Sequence, residues 1–360
     1  MNRMAKTGLM SAGMLGVGLA ALATSRPDVR AAPAPVVAPA ANALRAAVLT
    51  SPQDLALPTA LAVRDGRLIV IDRFGDRAVR VFATADGREL AAFGRTGDGP
   101  GEFRGARSVT FDPVDPSAFW VYDLSLARLT RYGLYRPGGS TDDWRGRILP
   151  VRLAATVTSP VWVSPNRLLA TGFFAEGRLA VLDAEGSPAG YAGSLPPAER
   201  PVPAPVLQHA YQARVAVSPD RRHVAVASRH AGRLELYDAP RGAFLGLADV
   251  PLSFEPTYGI VQTKRGPRMA SGGDLRFGYI DVAVTDTRIY ALFSGRTRAD
   301  YPGRANFGEV VQVFDWSGEL REVLQLDADV LAIAADEGDR TLYAIRHLPV
   351  PAVLAYPLGG

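Results

Sequence analysis

PTALAVRDGRLIVIDRFGDRAVRVFATADGRELAAFGRT, residues 58–96, holds four short apolar runs cut apart by turns. The runs are Pro58–Asp65, Arg67–Arg73, Ala78–Thr84 and Leu90–Thr96. Asp65-Gly66 and Asp86-Gly87 stand between them, where a hairpin turn needs positive φ. No run is long enough, or spaced at 3.6 residues, to be an amphipathic helix. The stretch reads as four antiparallel strands.

The same phrase recurs along the chain. A second unit has Arg107–Pro113, Ala118–Leu124, Arg128–Leu134 and Gly146–Leu153. A third has Thr158–Pro165, Arg167–Phe174, Arg178–Ala184 and Pro188–Leu195. A fourth has Ala213–Pro219, His223–Arg229, Arg233–Ala239 and Phe244–Val250. A fifth has Ile280–Thr285, Arg288–Gly295, Glu309–Asp315 and Leu320–Leu326. A sixth has only Val330–Asp336, Thr341–His347 and Ala352–Leu358. Repeats of four strands without helices are the signature of propeller blades. The expected fold is all-β: a six-bladed β-propeller with four-stranded antiparallel blades. An open ring would leave unpaired strand edges. The run Leu44–Ser51 is therefore expected to supply the missing strand of blade six and close the ring.

Two motifs carry a family resemblance. Gly94-Arg95-Thr96-Gly97-Asp98-Gly99-Pro100-Gly101-Glu102-Phe103 resembles the glycine-rich loop that joins blades of the NHL-repeat and TolB-like superfamily. Val121-Tyr122-Asp123 with Arg128-Leu129, and Ile71-Asp72 with Arg77, resemble the V-x-D-x4-R phrase of that repeat. Gly172 with Arg178 and Ser228 with Arg233 are looser copies. The resemblance is good over about 60–134 and weak over 150–358, and it implies the propeller rather than any one activity, because folds of this kind host unrelated functions. The glycine loop lacks the Lys-Ser/Thr of a phosphate cradle, so it reads as a blade connection with Phe103 wedged between blades. Each Asp/Arg pair reads as structural, with Asp on backbone N–H groups and Arg against the carboxylate.

The 360 residues are 48% hydrophobic and 21% charged, enough for a large core without staples, and contain no Cys. Disulfides, thiolate metal sites and a Cys nucleophile are thereby excluded. All but two of the 40 basic residues are arginine, against 36 acids, and the charges are interspersed. No basic stripe points to nucleic acid.

The N-terminus has the order of a secretory signal: Arg3 and Lys6, an apolar run over Gly8–Ala23, and Ala21-Leu22-Ala23 as a cleavage site. The run is short of the roughly 20 residues of a membrane span. The expected organisation is a signal peptide over 1–23, a Pro/Ala-rich linker over 24–43 and the propeller over 44–360. The mature chain would be periplasmic or extracellular, without a membrane span, and a monomer. An uncleaved anchor is the alternative.

Chemistry is sparse. No two of the histidines His209, His223, His230 and His347 stand at i, i+2 or i, i+4, and no G-x-S-x-G occurs. Aligned first strands place Thr59, Arg107, Ser159, Arg214, Asp281 and Asp329 around the axis. Blade five carries two insertions, 253–278 and 294–308, which an up-and-down blade puts on the same face as His230 and His347. They bring Tyr258, Arg265, Arg268, Arg276, Arg296, Arg298, Tyr301 and Arg304, with Tyr279 following the first. Arginine with aromatics is the composition of recognition surfaces. The first reading is thus a binding or scaffold module without a catalytic constellation or cofactor, taking a protein or an anionic glycan or small molecule. The second is a metal-dependent hydrolase or lactonase of similar fold, with Asp281 and Asp329 as ligands and His230 or His347 as base. Calcium wants six to eight oxygens with several carboxylates, and this ring is mixed.

Overall fold

The computed structural model describes residues 40–50, 54–133, 147–198, 201–264 and 266–359. The expected signal over 1–23 and most of the linker lie outside these, as does Arg265.

Two short strands come first, β1 (Asn42–Leu44) and β2 (Ala47–Val48). Blade one is β3 (Pro58–Arg64), β4 (Arg67–Asp72), β5 (Val79–Ala83) and β6 (Glu89–Phe93). Blade two is β7 (Ala106–Phe111), β8 (Ala118–Asp123), β9 (Arg128–Gly133) and β10 (Ile148–Pro150). Blade three is β11 (Thr156–Ser164), β12 (Arg167–Phe173), β13 (Leu179–Asp183) and β14 (Pro188–Ala192). A helix, α1 (Ala204–Ala210), precedes blade four, which is β15 (Ala213–Val217), β16 (His223–Ser228), β17 (Leu234–Asp238) and β18 (Ala243–Leu247). The first insertion folds into a hairpin, β19 (Gly259–Thr263) with β20 (Gly266–Ala270). Blade five opens with β21 (Tyr279–Val284), β22 (Arg288–Phe293) and β23 (Gly308–Asp315). Then β24 (Leu320–Ala335) runs on unbroken, and β25 (Thr341–Arg346) and β26 (Ala352–Pro357) complete the chain.

Every neighbour within blades one to four pairs antiparallel in chain order. The second strands are buried almost throughout, β8 entirely so. They are covered by a neighbouring blade on each face, which explains their continuous apolar runs. Six buried apolar clusters fill the blade interfaces in succession. Ile71 meets Phe119 between blades one and two, and Trp120 meets Trp162 between two and three. The series ends with Val70 and Ile345 between blades one and six.

Two expectations are corrected. First, blades five and six share β24, whose Val323–Gln325 pair with β23 and whose Ala332–Ala335 pair with β25. Second, the segment expected as one strand over Leu44–Ser51 splits. Ala47 and Val48 pair with Ala355 and Leu354 on β26, while β1 lies parallel to β24 at Leu324–Leu326. One short helix, α1, is added to an otherwise all-β chain; at seven residues it is too short to show a 3.6 period, and Pro205 sits in its first turn.

The wedge and the Asp half of the repeat phrase match their reading. Phe103 is buried among Ile69, Val79 and Tyr132 between blades one and two. The Asp72 carboxylate accepts from the N–H groups of Ala56 and Leu57, at 2.9 and 2.6 Å. Asp123 accepts from those of Arg104, Gly105, Ser125 and Leu126. The Arg half differs. Arg128 donates to the carbonyls of Asp98, Gly99 and Glu102, so it clamps the glycine loop rather than Asp123. Four N–H donors already saturate that carboxylate, whereas the loop carbonyls need partners.

Candidate functional site

The inner strands start at one face of the disc and end at the other. Their starts meet the ends of the second strands, as Ala106 meets Asp123 and Ala213 meets Ser228. The blade-five loops and His347 follow on that same face. Thr59, Arg107, Ser159, Arg214 and Asp281 line the mouth of an axial cavity of about 170 Å³. Their register on successive inner strands brings them together, as the alignment of first strands implied.

The mouth is basic. Arg107 comes from blade two, Arg214 from blade four, and Arg229 follows the second strand of blade four. Burial lowers the Arg107 pKa to about 10, with help from the charges of Arg214 and Arg73. Burial likewise lowers Arg229 to about 10, and Arg214 and Arg107 add to the effect. The three arginines thus feel one another. Asp281 is the acid among them: its Oδ1 lies 3.9 Å from Arg214 Nε, and its Oδ2 accepts from Ile333 N–H at 3.0 Å. Burial raises the Asp281 carboxyl, and Arg214 with that N–H opposes the rise. Nε of Arg107, Oγ1 of Thr59 and Oγ of Ser108 are buried without a hydrogen-bond partner among the described residues.

The far end of the cavity is different. Arg221, at φ +58° in the turn after β15, donates to the carbonyls of Phe111 (3.1 Å), Asp112 (3.0 Å) and Trp162. It thereby ties blade four to blades two and three. Arg64 pairs with Glu337 at 3.2 Å and sits 3.9 Å over the Phe111 ring.

The blade-five residues are brought to one face, where Arg296 and Arg304 are neutralised by Asp329. Asp329 is not at the axis: it pairs with Arg296 at 2.7 Å and with Arg304, while Ile333 of blade six lines the cavity instead. Arg296 also reaches Glu309 at 3.3 Å and lies 4.8 Å from the Tyr301 ring centroid. Arg276 donates to the Gly295 carbonyl and Arg298 to Ser271 Oγ, each at 3.0 Å. Tyr301 and Arg268 are exposed, the latter on β20. Tyr258 packs with α1 beside Met269. Tyr279 belongs to the core: it is fully buried, and its hydroxyl donates to Gln312 at 2.6 Å.

The histidines are placed as packing groups. His230 is buried edge-on to Phe277, and burial, then the charge of Arg229, lowers its pKa to about 3. His347 shares a hydrogen bond of 2.7 Å with the Pro58 carbonyl and meets Phe307 edge-on. Asp281 and Asp329, the acids of the metal-hydrolase reading, stand against arginines, and no three His, Asp or Glu side chains converge as a metal site among the described residues. The residue that sequence reading passed over is Arg229. Its signal was its place directly before His230, at the end of a second strand.

Antiparallel blades packed face to face around a lined axis define a β-propeller. The chain belongs to the TolB-like 6-blade propeller-like family, whose model matches residues 41–338. Among solved structures it is similar to the RRP9 WD40 repeats, 12% identical, with a TM-score of 0.51, covering 87% of this chain and 97% of that one. The β-propeller domain of Myceliophteria thermophila Cps50 (Swd1) is 13% identical at a TM-score of 0.47, over 84% and 96% of the two chains. At 12% identity the likeness to the RRP9 repeats speaks to fold alone. No curated protein matches.

Proposed function

We propose that this propeller is a binding module that takes an anionic group, carried by a protein or a small molecule, at the channel mouth. The observation behind it is the surplus of Arg107 and Arg214 over Asp281 at a lined opening, with the charge of Arg229 felt close by and buried donors left without acceptors. A desolvated cation without a partner is costly, and an incoming anion with hydrogen-bond acceptors relieves that cost. The blade-five insertions flank the mouth and supply the exposed ring of Tyr301 and the Arg268 edge as secondary contacts. Export through residues 1–23 is part of this proposal; the mature protein should then begin at Thr24.

The test is thermal melting against paired panels of small anions and small cations. Anions should raise the midpoint of the wild type and leave an Arg107→Gln/Arg229→Gln variant unmoved. Equal anion shifts in both proteins, or none in either, would overturn the reading.

A further inference from the structure

The shape and lining of the channel narrow the ligand class, an inference that rests on the basic-mouth reading above. The two ends of the channel are not equivalent. At the far end the guanidinium of Arg221 is spent on three carbonyls, and Arg64 on Glu337. At the mouth, Arg107 Nε and the hydroxyls of Thr59 and Ser108 are buried and unmatched among the described residues, and Arg229 meets the Phe277 ring at 5.5 Å. An anion is therefore held at the mouth and not at the bottom.

Between the ends the inner strands contribute Ala62, Val109, Val161, Val215 and Val282, an aliphatic part of a lining that also holds Thr110 and Ser218. The volume is about 170 Å³. An apolar cavity of roughly 150 Å³ is large enough for benzene. The head group is constrained too. Asp281 shares the mouth, fixed by Arg214 and by the Ile333 N–H. A doubly charged phosphate would be repelled by that carboxylate and has nothing to place against the valines.

We propose that the ligand is a monocarboxylic acid with a compact apolar tail, a short alkyl chain or a single aryl ring. Its carboxylate lies between Arg107 and Arg214 and its tail points down the channel. Thr59 and Ser108 donate to the carboxylate from below the rim. Ala62, which belongs to no blade-interface cluster, is part of the tail wall.

Calorimetric titration of the full chain with acetate, butanoate, hexanoate, benzoate and inorganic phosphate tests this. Affinity should climb about fourfold per methylene from acetate to hexanoate, the gain that burying a CH₂ brings. Benzoate should bind at least as well as butanoate, and phosphate more weakly than either. Ala62→Leu narrows the slot and should cut hexanoate affinity at least tenfold; an unchanged melting curve would show that the variant folds, and Ala62→Ser, which adds polarity without bulk, should lower the gain per methylene. Affinity that ignores tail length, yet falls in Arg107→Gln, would overturn the tail assignment and leave the basic mouth standing. Phosphate binding tighter than any carboxylate would overturn the head assignment. No binding by any of the anions would overturn both.

Discussion

Replacing Arg107 with methionine should make the protein more stable. The guanidinium is largely taken out of water, has no carboxylate on it and faces Arg214 and Arg73; burial and those like charges lower its pKa to about 10. Such a drop from the ordinary arginine value corresponds to roughly 3 kcal/mol against the charged form, at 1.36 kcal/mol per power of ten. Water that reaches the partly exposed end of the side chain reduces this, so the expected gain is about 1–2 kcal/mol. Methionine keeps most of the stem volume and adds no unmatched donor. For some 300 ordered residues, at about 2 cal/mol/K each, the melting midpoint should rise by about 2–3 °C. Calorimetric melting at pH 7, in low salt and without added carboxylates, reads this directly. The same variant should lose anion-dependent stabilisation. Stability given up at a residue that binds is the expected trade in a functional site. A midpoint that falls by 2 °C or more would refute the reasoning, because it would show that Arg107 is held by favourable contacts.

The opposite arginine is Arg178, buried with Glu235 at 2.6 Å, the Tyr211 carbonyl at 2.6 Å and Ser228 Oγ at 3.0 Å. Arg178→Met should cost about 3 kcal/mol, at the low end for a broken buried pair because Arg233 still reaches Glu235 at 3.3 Å. Adding Glu235→Leu should recover most of the loss in the same melting assay. His230, lowered to about 3 by burial and Arg229, stays neutral in the fold while the unfolded chain takes up a proton below about pH 6.5. Stability therefore falls as pH drops through this window, by about 2 kcal/mol between pH 6.5 and 5, and His230→Asn should remove that slope from a denaturation series.

The blades were legible in the sequence because their second strands are uninterrupted apolar runs and their turns carry glycine where φ is positive. Gly87, at φ +71°, and Gly186, at φ +76°, each sit where a Cβ would collide with a carbonyl oxygen, of Leu49 and Pro150 respectively. The glycine loop and the Phe103 wedge were legible for the same local reasons. What failed was pairing across blades. Arg128 turns to loop carbonyls about 26–30 positions back in the chain, and Arg296 and Arg304 find Asp329 on β24, beyond the next strand. Composition counts such arginines as free; only three-dimensional neighbours show which are neutralised. The mouth was half legible. The alignment of first strands put Arg107, Arg214 and Asp281 at the axis, but Arg229 arrives from a second strand, and Asp329 is drawn away by the insertions.

The unbroken β24 also gives the disc a stiff member. Leu320–Ala335 leaves blade five and becomes the inner strand of blade six, so these two blades are joined by extended strand with no loop between them. Asp329, gripped by the insertion arginines, and Ile333, whose N–H orients the mouth carboxylate of Asp281, lie four positions apart on that strand. The outer loops and the channel rim are therefore fastened to the same girder, and a load taken by one is carried to the other through main chain.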